Sequence, residues 1–161
     1  SYFDSVKCSY CEAFEGSGFS LTNTGFSDTV MYQTTSSDSN NFEGLCGVVT
    51  LDDPNTRFEI TTTTSYDLPG SGSAVFLEFD YKINQTMTAG IFIVTPGTTD
   101  EQIAIINLNA TDVWKKIYVQ LGYTVSAYPN ASGYKIFFGA LKNPSVSKSV
   151  FYLDNIKVAH F

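Results

Sequence analysis

Near its middle the chain reads Val75-Phe76-Leu77-Glu78-Phe79-Asp80-Tyr81-Lys82-Ile83. The odd-numbered positions of this run are apolar and the even-numbered positions are mostly polar. Successive side chains of a β-strand point to opposite faces of its sheet. The alternation therefore predicts a strand with one face in a hydrophobic core and the other face toward solvent or a groove.

Shorter runs rich in β-branched and aromatic residues lie on both sides of this strand, and turn residues such as Pro96-Gly97 and Asn143-Pro144 separate them. No segment keeps a 3.6-residue period. This spacing favours an all-β fold, a two-sheet antiparallel β-sandwich of the jelly-roll type with about nine or ten strands. Strands are predicted at Thr29–Thr34, Cys46–Leu51, Phe58–Thr64, Val75–Ile83, Ala89–Thr95, Gln102–Leu108, Trp114–Leu121, Tyr134–Leu141 and Ser149–Ala159.

The composition predicts one domain over residues 1–161. Hydrophobic residues make up 43% of the chain and charged residues 16%, a balance that excludes intrinsic disorder. Aromatic residues reach 15%, which suits pleated sheets better than helices. Residues 1–45 are interrupted by glycines and a polar loop and show no regular pattern.

The formal net charge of −7 argues against several classes of partner. Proteins that bind the nucleic-acid backbone need a basic face, and the 9 Lys and Arg residues are scattered along this chain. No apolar run approaches the roughly 20 residues of a transmembrane helix, and residues 1–13 lack the apolar stretch of a signal peptide. We expect a monomeric protein with an acidic surface that suits solubility or cation binding.

The cysteines Cys8, Cys11 and Cys46 leave the redox state open, because an odd number cannot pair completely within one chain. The CxxC spacing of the first two is compatible with a redox motif or with part of a zinc site. No strand–helix–strand unit follows them, however, and the one histidine is the distant His160. A single disulfide from Cys8 or Cys11 to Cys46, or three reduced thiols, are the favoured interpretations.

Short motifs at both ends of the chain resemble those of jelly-roll carbohydrate-binding modules. They are Phe14-Glu15-Gly16 near the start and Phe151-Tyr152-Leu153-Asp154-Asn155-Ile156-Lys157-Val158 near the end. The intervening runs Leu77–Lys82, Asp112–Val119 and Tyr134–Gly139 are similar to strands of the same modules.

The resemblance is to modules on cell-surface lipoproteins and glycan-handling proteins of Gram-negative bacteria. It covers residues 74–161 well and residues 1–50 poorly. It implies a galactose-binding-like sandwich at the cell surface or secreted from the cell, with lipid anchoring as one form of attachment.

The same resemblance implies a structural calcium site. In many such modules a carboxylate near the first strand and the Asp of the last strand meet at one edge of the sandwich, and the matching positions here are Glu15 and Asp154. Calcium favours flexible carboxylates and backbone carbonyls. The alternative interpretation is that Asp154 accepts a hydrogen bond from a backbone N–H at a bulge, while Glu15 is solvated.

Glu78 and Asp80 are the best candidates for glycoside hydrolysis, which needs two carboxylates in a groove. They lie two positions apart on one strand, so they share a face and are about 7 Å apart. Acidic residues often alternate on a polar strand face without catalysing anything, and the favoured interpretation is that both carboxylates contact a ligand or solvent. No Gly-x-Ser-x-Gly motif is present, and His160 lies too near the end of the last strand for a rigid general base.

Polar positions on three predicted strands form the predicted glycan site. Tyr118 points away from Ile117 and Val119, and its hydroxyl and ring suit a sugar. We expect a polar concave surface formed by Tyr118, Lys116, Gln120, Glu78, Asp80 and Lys135.

Other aromatic residues offer alternatives. Trp114 is the only tryptophan, and it either forms a platform for a pyranose ring or, as its Trp-x-x-Ile-Tyr-Val pattern favours, closes the core. Tyr123, Tyr128 and Tyr134 lie in or near loops and would serve a site at a loop edge.

Sequons begin at Asn84, Asn109 and Asn130, all at predicted turns. Asn is common in turns for its own backbone chemistry, which is the favoured interpretation of all three.

The primary hypothesis is therefore a non-catalytic module that binds a glycan or polysaccharide. A structural or adhesion domain that binds a surface protein is the alternative, and a glycoside-cleaving enzyme that uses Glu78 and Asp80 is a remote third. A groove with exposed aromatic rings beside polar groups favours the first, and a flat polar surface the second. Carboxylates facing each other across a cleft would favour the third.

Overall fold

The computed structural model describes residues 8–12, 21–28, 33–36, 45–63, 65–67 and 74–160, and for 8–12, 33–36, 45 and 160 the backbone alone. Within these ranges the chain forms eleven strands and one helix of five residues. The elements are β1 (Cys8–Glu12), β2 (Leu21–Asn23), β3 (Gln33–Ser36), β4 (Leu45–Leu51), β5 (Arg57–Thr62), β6 (Val75–Ile83), β7 (Met87–Val94), β8 (Glu101–Leu108), β9 (Lys115–Gln120), α1 (Gly122–Ser126), β10 (Gly133–Leu141) and β11 (Ser149–His160).

The strands form two sheets in which all pairings between strands are antiparallel. The first sheet has the order β3-β4-β11-β6-β9, and β1 pairs with the second half of β11. The second sheet has the order β2-β5-β10-β7-β8. Strands distant in sequence are thus neighbours in both sheets, and the predicted class, an all-β two-sheet sandwich, is confirmed.

Aromatic pairs join the two sheets across the core. Phe79 of β6 meets Phe138 of β10 edge to face, with ring centroids 5.1 Å apart. Phe58 of β5 and Phe151 of β11 are 4.9 Å apart by the same measure. All four rings are buried. Burial of each such side chain contributes about 1.5–3 kcal/mol, so these contacts hold the sheets face to face.

The eight strands predicted from residue 45 onward are confirmed, each within two residues of its predicted bounds. The predicted strand Thr29–Thr34 overlaps β3 at its end, and residues 29–32 lie outside the described ranges. The short elements β1, β2 and α1 were not predicted. The strands among them pair with partners far along the chain, and α1 is too short to show a helical period.

Among the described residues, no helix is long and apolar enough to span a membrane.

Candidate functional site

The face predicted from the sequence lies on the outer side of the first sheet. Glu78 and Asp80 alternate along β6 with core residues, so both point away from the space between the sheets. Each is only 1% exposed, which corrects the prediction that this polar face opens to solvent or a groove. Charged and amide groups of neighbouring strands contact both carboxylates. Lys116 Nζ lies 3.1 Å from Glu78 Oε1, and Asn155 Nδ2 donates to Asp80 Oδ2 at 2.9 Å.

Burial changes the acid–base behaviour of this acidic face. Desolvation raises the pKa of Asp80, although the Asn155 hydrogen bond and the charge of Lys116 oppose the shift. For Lys116 burial disfavours the charge, but the hydrogen bond with Glu78 and the charges of Asp80 and Glu78 outweigh it and raise the pKa. Oδ1 of Asp80 is buried and has no hydrogen-bond partner among the described residues.

Lys135 does not join this face. It lies on β10 of the second sheet, with its Nζ 3.9 Å from Asp100 Oδ2. The prediction that it lines one surface with Tyr118 was wrong, because sequence periodicity gives the face of a strand but not the sheet to which that strand belongs.

The two aromatic residues predicted to bind a glycan differ in their exposure to solvent. Trp114 is only 8% exposed and packs against Tyr152, with ring centroids 6.0 Å apart, so it does not present a platform for a sugar. Tyr118 is 42% exposed and pairs across the strands with Glu78. Gln120 accepts a hydrogen bond from the backbone N–H of Gly122 and thereby supports the start of α1. Ligand contact by Tyr118 stays a prediction.

The tyrosines proposed for a loop-edge site are not equivalent either. Tyr134 is buried, and its hydroxyl donates to the carbonyl of Val125 at 3.1 Å, so it belongs to the core. Tyr128 donates to Glu101 Oε1 at 3.3 Å. Tyr123 is 84% exposed.

Asp154 lies at an irregularity in the pairing of β11 with β6, directly opposite Asp80. It is 2% exposed, and its Oδ1 accepts a hydrogen bond from the backbone N–H of Asn155 at 2.8 Å. The next residue, Asn155, adopts a left-handed φ of 48°. Glu15, the other predicted calcium ligand, lies outside the described residues. In the described part of the chain no group of three His, Cys, Asp or Glu side chains could hold a metal ion, and the calcium site stays a prediction.

A groove of about 440 Å³ crosses the outer face of the second sheet. None of its lining residues belongs to the surface predicted from the sequence. Its lining includes Phe26, Glu59, Thr88, Gln102, Phe137 and Leu141.

The floor of the groove depends on a glycine beneath an aromatic ring. A Cβ on Gly90 of β7 would lie 2.2 Å from the carbonyl oxygen of Ile103 and 2.7 Å from the ring of Phe137. Only glycine permits this approach. The Phe137 ring therefore lies over the backbone of β7, tilted against Phe92 at 5.1 Å between centroids, and forms an apolar floor.

Phe26 forms one wall of the groove, on a turn that follows β2. Backbone bonds tie this turn to β5: the N–H of Thr24 donates to the carbonyl of Glu59 at 2.9 Å, and that of Asp28 donates to the carbonyl of Arg57 at 3.2 Å. The Arg57 guanidinium lies 4.8 Å from the centroid of the Phe26 ring and 3.6 Å from Asp28. The ring remains 46% exposed, which makes it a fixed and accessible aromatic platform.

A hydrogen bond between side chains spans the groove. Gln102 Nε2 on β8 donates to Glu59 Oε2 on β5 at 2.7 Å, although β10 and β7 lie between these strands. The hydroxyl of Thr24 donates to Glu59 Oε1 at 2.7 Å. Both oxygens of the Glu59 carboxylate are thus held in place inside the groove.

Further polar groups are fixed at the end of the groove near the β6–β7 turn. The Gln85 side chain donates to the carbonyl of Leu141 and accepts from the N–H of Asn143 at 2.7 Å. On β7 the Thr88 hydroxyl donates to Asn107 Oδ1 at 2.6 Å. The polar lining is therefore largely organised before any ligand arrives.

Sequence reasoning missed this site. Phe26 falls in the segment that shows no regular pattern, and Glu59 is the single charge within a β-branched run. The available signals were an aromatic residue in a glycine turn and a charged residue alternating with buried ones. Neither signal indicates that β2 and β5 are neighbours.

No family model matches the chain, and no curated protein sequence matches it significantly. Solved structures do match it. A family 22 carbohydrate-binding module of Clostridium thermocellum Xyn10B, described by the role of conserved amino acids of its cleft in ligand binding, shares 16% identity at a TM-score of 0.63. The match covers 98% of this chain and 96% of that one.

Two further structures show the same architecture. A family 11 carbohydrate-binding module from Clostridium thermocellum, in complex with a β-1,3-1,4-mixed-linked tetrasaccharide, matches at a TM-score of 0.58 and 16% identity, over 92% of each chain. The enzymatically active domain of bacteriophage CBA120 tailspike protein 4 matches at 0.63 and 19% identity. That match covers 92% of this chain but only 20% of the tailspike chain. At these identities the likenesses show that the chain has the fold of carbohydrate-binding modules.

Proposed function

We propose that the chain is a non-catalytic glycan-binding module whose site is the groove on the second sheet. The observation that carries the proposal is the exposed ring of Phe26 beside the fixed carboxylate of Glu59. A flat aromatic face packs on the apolar C–H face of a pyranose, while fixed polar groups bind its hydroxyls. The groove offers both kinds of contact in one place.

The structural neighbours support this proposal. The family 22 module is described by ligand binding in its cleft, and the family 11 module was solved with a bound tetrasaccharide. We infer from the same fold that this chain works outside the cell or at the cell surface, where polysaccharides are met. Attachment through a lipid anchor is part of this proposal.

The described residues do not favour the enzymatic alternative. Glu78 and Asp80 lie side by side on one strand instead of facing each other across a cleft, and their burial keeps a glycosidic bond from reaching them. Among the described residues that line the groove, Glu59 is the only carboxylate, whereas hydrolysis needs two. The described lining thus offers groups that can bind a sugar chain but not the pair of carboxylates that cleaves one.

The structural or adhesion alternative would use the exposed part of the first sheet around Tyr118. It differs from the groove in offering the exposed ring of Tyr118 beside an ion pair in which Lys116 is exposed and Glu78 is buried. The two alternatives place the important aromatic residue on opposite sides of the sandwich.

A matched pair of variants tests the proposal. Phe26 and Tyr118 are similarly exposed, at 46% and 42%, but Phe26 lines the groove on the second sheet and Tyr118 lies on β9 of the first sheet. We expect the wild type to bind neutral polysaccharides in a panel that includes xylan and mixed-linked β-glucan. Phe26→Ala should weaken this binding about tenfold or more, since loss of one stacked ring costs about 1–3 kcal/mol, and Tyr118→Ala should not change it. The measurements are affinity electrophoresis and calorimetry, with Tm as a control for folding.

Other outcomes would change the conclusion. Loss of binding in Tyr118→Ala alone would move the site to the first sheet. Absence of binding to every polysaccharide in the panel would contradict the glycan-binding proposal for those polymers and favour the adhesion alternative.

A further inference from the structure

Among the described residues that line the groove, a single side chain carries a charge. Glu59 is the only acidic residue in the lining, and no Lys or Arg lines the groove within the described part of the chain. Both partners of the carboxylate, Gln102 Nε2 and the Thr24 hydroxyl, donate to it. The negative charge is therefore held at a fixed position, and no described lining residue is a cation that neutralises it.

The nearby basic residues are already paired with other carboxylates. The five strands of the second sheet contain two basic residues, Arg57 and Lys135. Arg57 lies 3.6 Å from Asp28, and Lys135 lies 3.9 Å from Asp100. Lys142, which follows β10, lies 3.2 Å from Asp53. An acidic ligand in the groove would therefore lie close to the negative charge of Glu59, and the three basic residues named here already pair with other carboxylates.

We propose that Glu59 makes the groove selective for neutral, hydroxyl-bearing glycan chains and excludes acidic ones. An ionised carboxylate only accepts hydrogen bonds and has lone pairs for about four donors, of which Thr24 and Gln102 supply two. Sugar hydroxyls can donate to the remaining positions. A uronate or sulfate group cannot donate there, and its charge is repelled by the carboxylate.

The position of the Glu59 carboxylate would allow this one residue to disfavour acidic glycans. The Glu59–Gln102 bond crosses the groove from β5 to β8, so a chain lying along the floor passes close to it. Like charges a few ångströms apart near a protein surface repel by about 1–4 kcal/mol. Glu59 is thus a specificity-determining residue of the groove, and this inference rests on the proposed function of the groove.

The test compares each neutral polymer with a derivative that carries added negative charge. The probes are xylan and mixed-linked β-glucan, each with its carboxymethylated derivative. We expect the wild type to bind each neutral polymer at least about tenfold more tightly than its carboxymethylated form. Glu59→Gln keeps the size of the side chain but removes its charge and replaces one accepting oxygen by an NH2 donor. It should narrow the ratio of the affinities for neutral and carboxymethylated polymer about fivefold or more.

A second variant separates the local charge from the net charge. Asp112→Asn removes one negative charge at an exposed bend outside the groove lining, and should leave the ratio within about twofold of wild type. In the wild type, high salt should narrow the ratio because it screens the repulsion. Loss of a purely structural contact would not produce this salt dependence.

The outcomes distinguish this inference from the proposed function. Equal binding of neutral and carboxymethylated polymers by the wild type would overturn charge selection and leave glycan binding intact. An equal change of the ratio in Glu59→Gln and Asp112→Asn would assign the selectivity to the net charge and overturn the role of Glu59. Failure of every polymer to bind would overturn the proposed function and this inference with it.

Discussion

Glu59 and Asp80 are both carboxylates on the outer side of a sheet, but their surroundings differ. Glu59 is partly exposed in the groove, and both of its oxygens accept hydrogen bonds. Asp80 is 1% exposed, and one of its oxygens has no hydrogen-bond partner among the described residues. Desolvation accordingly raises the pKa of Asp80. A carboxylate is thus available for hydrogen bonding with a ligand in one place, whereas in the other its ionised form is disfavoured by burial.

The raised pKa predicts how stability depends on pH. Folded Asp80 keeps its proton to higher pH than the unfolded chain, whose reference value is 3.8. Its contribution to stability is therefore greatest below that value and is lost as the pH rises through the folded pKa. The side chain of the Asp80→Asn variant cannot ionise. As the pH rises from below 3.8 through the raised pKa of Asp80, the wild type should therefore lose free energy of unfolding relative to this variant. Urea unfolding in the presence of EDTA measures the difference.

The exposed Asp112→Asn variant is the control, and its pH dependence should follow that of the wild type. Parallel curves for the wild type and Asp80→Asn would show that Asp80 is not the group responsible.

At the scale of elements, the floor of the groove depends on close packing between β7, β8 and β10. Gly90 lies at an irregularity in the pairing of β7 with β8. Its backbone lies close to the carbonyl oxygen of Ile103, and the ring of Phe137 packs on it. The strand cannot keep this geometry with a larger residue. The packing of these strands therefore sets the shape of the groove as well as the stability of the sheet.

Gly90→Ala should destabilise the protein by about 1–3 kcal/mol, because the new methyl group would meet the Ile103 carbonyl oxygen at 2.2 Å. Gly25→Ala is the matched control, since a Cβ there meets nothing within 4 Å, and we expect a change within about 0.5 kcal/mol. Denaturant unfolding of both variants measures the effect. Equal stability of the two would contradict the close approach of β7 and β8.

The elements also show how far the sequence predicts the fold. Val75–Ile83 and Ser149–His160 carry their own apolar periodicity, so both strands were predicted closely. The strand Leu21–Asn23 is too short to show a period, and its hydrogen bonds are completed by β5, far along the chain. The alternation in Val75–Ile83 correctly predicted which residues form its polar face. It did not predict that Glu78 and Asp80 are buried, because burial depends on the side chains of neighbouring strands that cover this face.

At the scale of the whole molecule, the outer sides of the two sheets have different character. The outer side of the first sheet carries the buried residues Glu78, Asp80 and Asp154, whereas the second sheet carries an open groove. Asp80 and Asp154 are direct neighbours across β6 and β11, which is unfavourable for two ionised groups. We propose that calcium held by Glu15 and Asp154 relieves this repulsion. The buried Oδ1 of Asp80, which has no hydrogen-bond partner among the described residues, supports the proposal.

This proposal predicts a calcium-dependent Tm. Calcium that binds only the folded state stabilises it, by about 2.7 kcal/mol at a hundred times its Kd, so adding calcium to EDTA-treated protein should raise the Tm. Asp154→Asn and Glu15→Gln should each reduce or abolish the shift. Magnesium, which demands a smaller octahedral site, should act more weakly. Differential scanning calorimetry that shows no calcium effect, or an unchanged effect in Asp154→Asn, would contradict the site.

The sequence by itself determined the strand periodicity, the all-β class and the acidic character of the chain, because these follow from composition and from neighbours within a few residues. It did not determine which strands share a sheet. That pairing places Lys135 away from Tyr118 and brings Phe26, Glu59 and Gln102 together across four strands. Only the tertiary structure decided the site, since a groove depends on contacts between residues far apart in sequence whose individual patterns carry no information about each other.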